Sequence, residues 1–76
     1  MQELIAHIAK SLVDQPEGVN VSKTVNEDTI TLELTVASED LGKVIGKQGR
    51  TARAMRSILS ATAAKEDMRS RLDIVE

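Results

Sequence analysis

Two glycines three residues apart, Gly46 and Gly49, stand between two stretches of helical spacing and force the chain to turn. Before them, Leu41, Val44 and Ile45 recur on one helical face. Gly46 stops that short helix, because glycine reaches positive φ without a steric cost. After Gly49 a longer pattern runs to about Glu66, with Ala52, Met55, Leu59 and Ala63 as its buried stripe and Ile58 towards one edge. Thr62 falls near that edge, where its hydroxyl bonds back to the preceding turn. Ser38 is expected to cap the first helix, with Glu39 and Asp40 favouring its positive end. Whatever else the chain does, it must accommodate two helices joined by four residues.

The flanking segments supply a sheet. Thr29 to Val36 alternates, with Ile30, Leu32, Leu34 and Val36 inward and Thr29, Thr31, Glu33 and Thr35 outward. Upstream, Val19, Val21 and Val25 share one parity, and Lys23 interrupts it as a charge would on an edge strand. Asn26, Glu27 and Asp28 supply the turn of a hairpin. Residues 2–14 read as an opening helix with Leu4, Ile5, Ile8 and Leu12 in its stripe, ended by Pro16 and Gly18. Met68 to Val75 closes the chain as a strand with Leu72 and Ile74 inward. The order is α-β-β-α-α-β. Each element has one apolar face, so the expected fold is α+β: three strands covered on one face by three helices.

Length and composition limit the function. Residues 1–76 are expected to form one domain, burying only about 60% of the surface of the unfolded chain. With no Cys there is neither a disulfide nor a thiolate metal site, and no metal or cofactor is expected. With no Phe, Tyr or Trp the core is aliphatic, and modules that stack bases on aromatic rings are excluded. No apolar run approaches the roughly 20 residues of a membrane span, and no secretory signal pattern opens the chain, so a soluble cytoplasmic protein is expected.

Charge is segregated. Residues 1–42 carry two basic and eight acidic side chains, a charge of −6. The next fourteen hold Lys43, Lys47, Arg50, Arg53 and Arg56 with no acid, a charge of +5. A whole-chain charge of −2 therefore hides a cationic patch suited to an anion. Unsatisfied amides at the start of the second helix favour the same partner. Glycines on both sides admit a phosphodiester backbone, Lys47 adds mobile charge, and Gln48 both donates and accepts.

A nucleotide-hydrolysing P-loop does not fit: Gly42 to Gln48 is one residue short, and Gln48 stands where a metal-binding hydroxyl is needed. The one histidine, His7, lies off the apolar stripe without a nucleophile or ligand at recognisable spacing, and reads as solvated. Glu39-Asp40 and Glu66-Asp67 read as helix ends rather than as acid–base pairs. No enzyme is expected.

Val44 to Arg50, V-I-G-K-Q-G-R, resembles the signature of the KH domain, whose helix–GxxG–helix element clamps a short single-stranded nucleic acid. The element order is similar to the bacterial, type II arrangement, and chain length and opening helix resemble the small stand-alone bacterial KH proteins. The resemblance covers essentially the whole chain. It implies a mixed sheet in which two strands run parallel to each other and one antiparallel. It also implies binding of single-stranded RNA, as a post-transcriptional regulator or RNA chaperone. Gly46, Lys47, Gln48 and Gly49 become the clamp, preceded by Val44 and Ile45, with Arg50 beside it. Ile45 and Val36 are expected to form an apolar wall, and Lys43, Arg53 and Arg56 to steer and extend the contact. Ala52 stands where the family often carries a larger aliphatic residue.

Two other readings stay open. A DNA-binding helix-turn-helix also joins two helices at a tight turn and prefers duplex. An interaction module would use the weakly apolar flank of Ala54, Ile58 and Ala61, unless the C-terminal strand covers it. The resemblance implies that this flank serves a homodimer or a heterodimer with a second KH protein.

Overall fold

A computed structural model describes residues 2–76. Its helices are α1 (Gln2–Leu12), α2 (Leu41–Ile45) and α3 (Arg50–Ala64), and its strands β1 (Asn20–Asn26), β2 (Thr29–Thr35) and β3 (Arg69–Val75). The order is the α-β-β-α-α-β expected. β2 is central, antiparallel to β1 and parallel to β3, so the sheet is mixed. The hairpin closes through Glu27 and Asp28, with Glu27 at φ 57°.

The alternation in β2 sets the layers. Ile30, Leu32, Leu34 and Val36 are buried against the helices, while Glu33 is exposed on the opposite face. Above them sit Ile5 and Ala9 of α1, Val44 of α2, and Met55, Leu59 and Ala63 of α3. Each leucine sealed in this layer contributes about 2 kcal/mol. Ala52, Met55, Leu59 and Ala63 are all buried, so the stripe expected for α3 is the observed one. Thr62 donates its hydroxyl to the Ile58 carbonyl at 2.9 Å, also as expected.

Four expectations need correction. The buried face of α1 is Ile5 and Ala9, with Ile8 half-buried; Leu4 and Leu12 are 44% and 41% exposed. At 100° per residue Leu4 is the apolar position farthest from Ala9 and turns outward, whereas Leu12 lies between Ile5 and Ile8 and is exposed at the last position of the helix. The helix also ends at Leu12 rather than at residue 14. The amides of Asp14 and Gln15 instead donate to the Asp40 carboxylate at 3.2 and 3.0 Å. Ser38 caps nothing: its hydroxyl bonds the Glu39 carboxylate, and a single 3-10 turn, Ser38–Asp40, leads into α2. Val25 is 54% exposed, because α1 lies over the Val19–Val21 end of the edge strand and not over its turn.

Asp40 is the buried charge that sequence periodicity missed. Its side chain is 1% exposed and ties the segment after α1 to the start of α2. Burial pushes its pKa up, but the two amides and Lys43 outweigh this, and the carboxyl ionises below the ordinary aspartate value.

Candidate nucleic-acid interface

The glycine loop is built from backbone strain that only part of it tolerates with a side chain. Gly46 closes α2 through its amide, 2.9 Å from the Gly42 carbonyl, at φ 79° and ψ 168°. A Cβ there would lie 2.7 Å from the Thr51 Cβ and 2.8 Å from its nitrogen. Gly46 is therefore demanded by the loop's own packing. Gln48 (φ 58°, ψ 26°) and Gly49 (φ 73°, ψ 13°) then run left-handed, and space within 4 Å of a Cβ on Gly49 is empty. The open glycine is the second.

No turn encloses Gly46, so the carbonyls of Lys43, Val44 and Ile45 do not receive the amides of Lys47 and Gln48. Those two N–H groups have no backbone acceptor among the described residues. They lie beside the exposed side chains of Lys47, Gln48 and Arg50, and Arg50 Nη2 donates to Gln48 Oε1 at 3.2 Å. Two adjacent free amides and a mobile ammonium are what a phosphate oxygen needs.

The five cations do not form one continuous track. Lys47, Arg50 and Arg53 are exposed and make no ion pair among the described residues. Lys43 is committed elsewhere: its ammonium pairs with Asp14 and, at 3.4 Å, with Asp40. The Asp14 carboxylate, ahead of Asp40, raises the Lys43 pKa above its ordinary value. Arg56 turns to the sheet, its Nε and Nη2 donating to the Leu72 carbonyl at 3.4 and 3.2 Å. Spacing put all five in one stretch; only the fold separates free charges from occupied ones.

Val44 and Val36 lie inside the core, 0% and 3% exposed. Ile45, 37% exposed, is the member of the expected wall that reaches the surface. Spacing groups it on one helical face with Leu41 and Val44, but this five-residue helix buries Val44 fully and leaves Ile45 at the surface. The flank of Ala54, Ile58 and Ala61 is exposed, Ile58 by 39%, and β3 does not cover it.

A groove of about 670 Å³ runs between α3 and β3, lined by Arg56, Ser60 and Ala64 on the helix and Arg69, Arg71 and Leu72 on the strand. Arg56 is the lining residue nearest the loop along α3. Sequence reasoning missed this groove. Alternation in residues 68–75 tells which side chains point inward, but not that β3 is an edge strand; that depends on strand order.

Comparison with known proteins gives one consistent answer. The family model described as "KhpA/KhpB, KH domain" matches residues 2–74. "RNA-binding protein KhpA" of Clostridium perfringens is 52% identical over 75 residues, covering 99% of this chain and all of that protein. The protein of the same name from Halalkalibacterium halodurans is 50% identical over the full length of both chains. That of Treponema pallidum is 53% identical over 99% of this chain and 94% of its own length. No solved structure matches. The helix–GxxG–helix loop, the mixed sheet and these matches together place the chain in the KhpA/KhpB family of KH-domain proteins.

Proposed function

We propose that this chain binds single-stranded RNA in the bacterial cytoplasm, as a post-transcriptional regulator or RNA chaperone. The Gly46–Gly49 loop grips the sugar–phosphate backbone, and its free amides carry this reading. The Lys47 and Gln48 N–H groups meet phosphate, Lys47 and Arg50 supply charge, and Arg53 extends the contact along α3. From there the strand enters the groove, with its bases against aliphatic carbon and the outer edge of β3. Ile45 forms the wall on the other side of the loop. The similarity to RNA-binding proteins over the whole chain supports the same assignment. Discrimination between sequences is weak at the loop, because amide and ammonium contacts to phosphate carry no base identity.

A helix-turn-helix would favour duplex DNA instead. Competition of unlabelled single-stranded RNA and duplex DNA against one labelled RNA separates the two. RNA is expected to displace the probe at lower concentration, and more effective displacement by duplex would reject the proposal.

The exposed flank of Ala54, Ile58 and Ala61 supports a second element: association with another copy or with a second KH protein. Small side chains allow close approach, and a small core gains from association. Sedimentation of the parent and of Ile58→Asp tests it. A parent that stays monomeric at all accessible concentrations, with no change in the variant, removes this element.

A further inference from the structure

Lys43 is the cation that the fold withdraws from the loop, and the way it is withdrawn is specific. It stands on α2 one turn before Gly46, whose amide closes that turn on the Gly42 carbonyl, so its flexible stem starts beside the loop. Its neighbour Val44 is buried, while the Lys43 side chain is 43% exposed. Two carboxylates hold its ammonium: Asp14 in the segment after α1, and Asp40 ahead of α2.

The two acids are not equivalent. Asp40 is buried and lies 3.4 Å from the ammonium, with one oxygen taken by the Asp14 amide and the other by the Gln15 amide. Asp14 is the closer partner. Its carboxylate is 80% exposed and makes no other hydrogen bond among the described residues. Because its own amide is anchored on Asp40, that carboxylate stands in front of Lys43 as a phosphate oxygen would. An exposed ion pair of this kind is weak, so an anion bearing several charges can compete for the same ammonium. The trio also holds two negative charges against one positive. Lys47 in the loop and Arg50 and Arg53 on α3, by contrast, make no ion pair among the described residues.

We propose that Asp14 is a built-in competitor of RNA: by occupying Lys43 it withholds a fourth phosphate contact from the clamp and so sets how tightly the strand is held. Resting on the RNA reading above, this makes Asp14 a residue that limits the grip without touching the strand. Lys43 then joins the clamp only when Asp14 releases it.

The test is fluorescence anisotropy with one short oligouridylate, on the full chain at several salt concentrations. Asp14→Asn keeps the backbone amide that Asp40 accepts, so the anchor of α2 is preserved. This variant is expected to bind about fivefold more tightly at low salt, the worth of one exposed charge contact. The slope of log K against log salt is expected to steepen by about 0.7, as one more phosphate is neutralised. Asp14→Ala reports the same quantity should asparagine hold the ammonium through its carbonyl oxygen. Adding Lys43→Gln to Asp14→Asn is expected to return the slope to that of the parent. Glu17→Gln removes an equal charge from an exposed side chain with no ion pair among the described residues, and is expected to leave the slope where it was. Equal slopes for the parent and both Asp14 variants, with RNA still bound, overturn this inference and leave the RNA reading standing. A steeper slope that survives Lys43→Gln overturns it as well. A parent protein that binds no single-stranded RNA overturns the RNA reading itself, and this inference with it.

Discussion

A methyl group on Gly46 would press on the backbone of Thr51, whereas one on Gly49 would enter empty space. The two glycines of the loop therefore fail differently when replaced. Gly46→Ala combines a collision with a backbone conformation that residues with a Cβ avoid, and is expected to cost about 3 kcal/mol of stability. Gly49→Ala meets only the left-handed penalty, about 1 kcal/mol. Urea unfolding of the two variants measures the difference, and equal losses would contradict the packing described. Lys47 and Gln48 are exposed, and their side chains are tied to the chain only by the surface bond of Gln48 with Arg50 among the described residues. Replacing both with Asp is expected to weaken RNA binding about a hundredfold with an unchanged unfolding midpoint. If that variant binds as the parent does, the loop is not the clamp. At this scale the glycines, the loop cations and the α3 stripe were legible, because spacing and residue type suffice to find them. The fates of Lys43 and Arg56 were not. Which charge is free depends on the carboxylate or carbonyl that folding brings beside it, here Asp14, Asp40 and Leu72.

Among the elements, α2 is the one that depends most on its neighbours. Five residues are too few for a stable helix in isolation. Its start is fixed by the buried Asp40, which receives the amides that follow α1. Because the folded state lowers the Asp40 pKa, its contribution is present above the unfolded aspartate value of about 3.9 and is lost as pH falls through the folded one. Glu39, whose pKa is lowered by hydrogen bonds from Gln15 and then Ser38, acts in the same direction. Lys43 has the opposite sign: its raised pKa contributes below the unfolded lysine value, and the contribution is lost as pH rises through the folded one. Asp40→Asn is expected to be less stable than the parent at pH 7, and to lose less further stability between pH 5 and pH 2. Urea titrations at those pH values check this; parallel pH profiles would show that Asp40 is not the group involved. The roll of α1 belongs here too. Periodicity ranks Leu4 and Leu12 with Ile5 and Ile8, since all four are apolar. In the fold Ala9 faces inward, which turns Leu4 out, and Leu12 is exposed at the end of the helix.

Over the whole molecule, a net charge of −2 coexists with three free cations at one end of α3 and the loop before it. Binding must then be local and strongly dependent on salt. With Lys47, Arg50 and Arg53 each neutralising one phosphate, log K against log salt is expected to fall with a slope of about −2 for a single strand. A slope near zero would mean that phosphate contacts do not hold the complex. The element order and the parallel–antiparallel sheet were legible from the sequence and its resemblance, because each segment has a single period and a single apolar face. The groove beside β3 was not, since it exists only where strand order leaves an edge open. The most direct test of the central claim is a titration of the isotope-labelled protein with a short single-stranded RNA, followed by amide NMR shifts. Changes are expected to concentrate on Gly46 to Arg53 and on Ser70 to Ile74. Shifts gathered on α1 and β1, with the amides of Lys47 and Gln48 unmoved, would contradict the account.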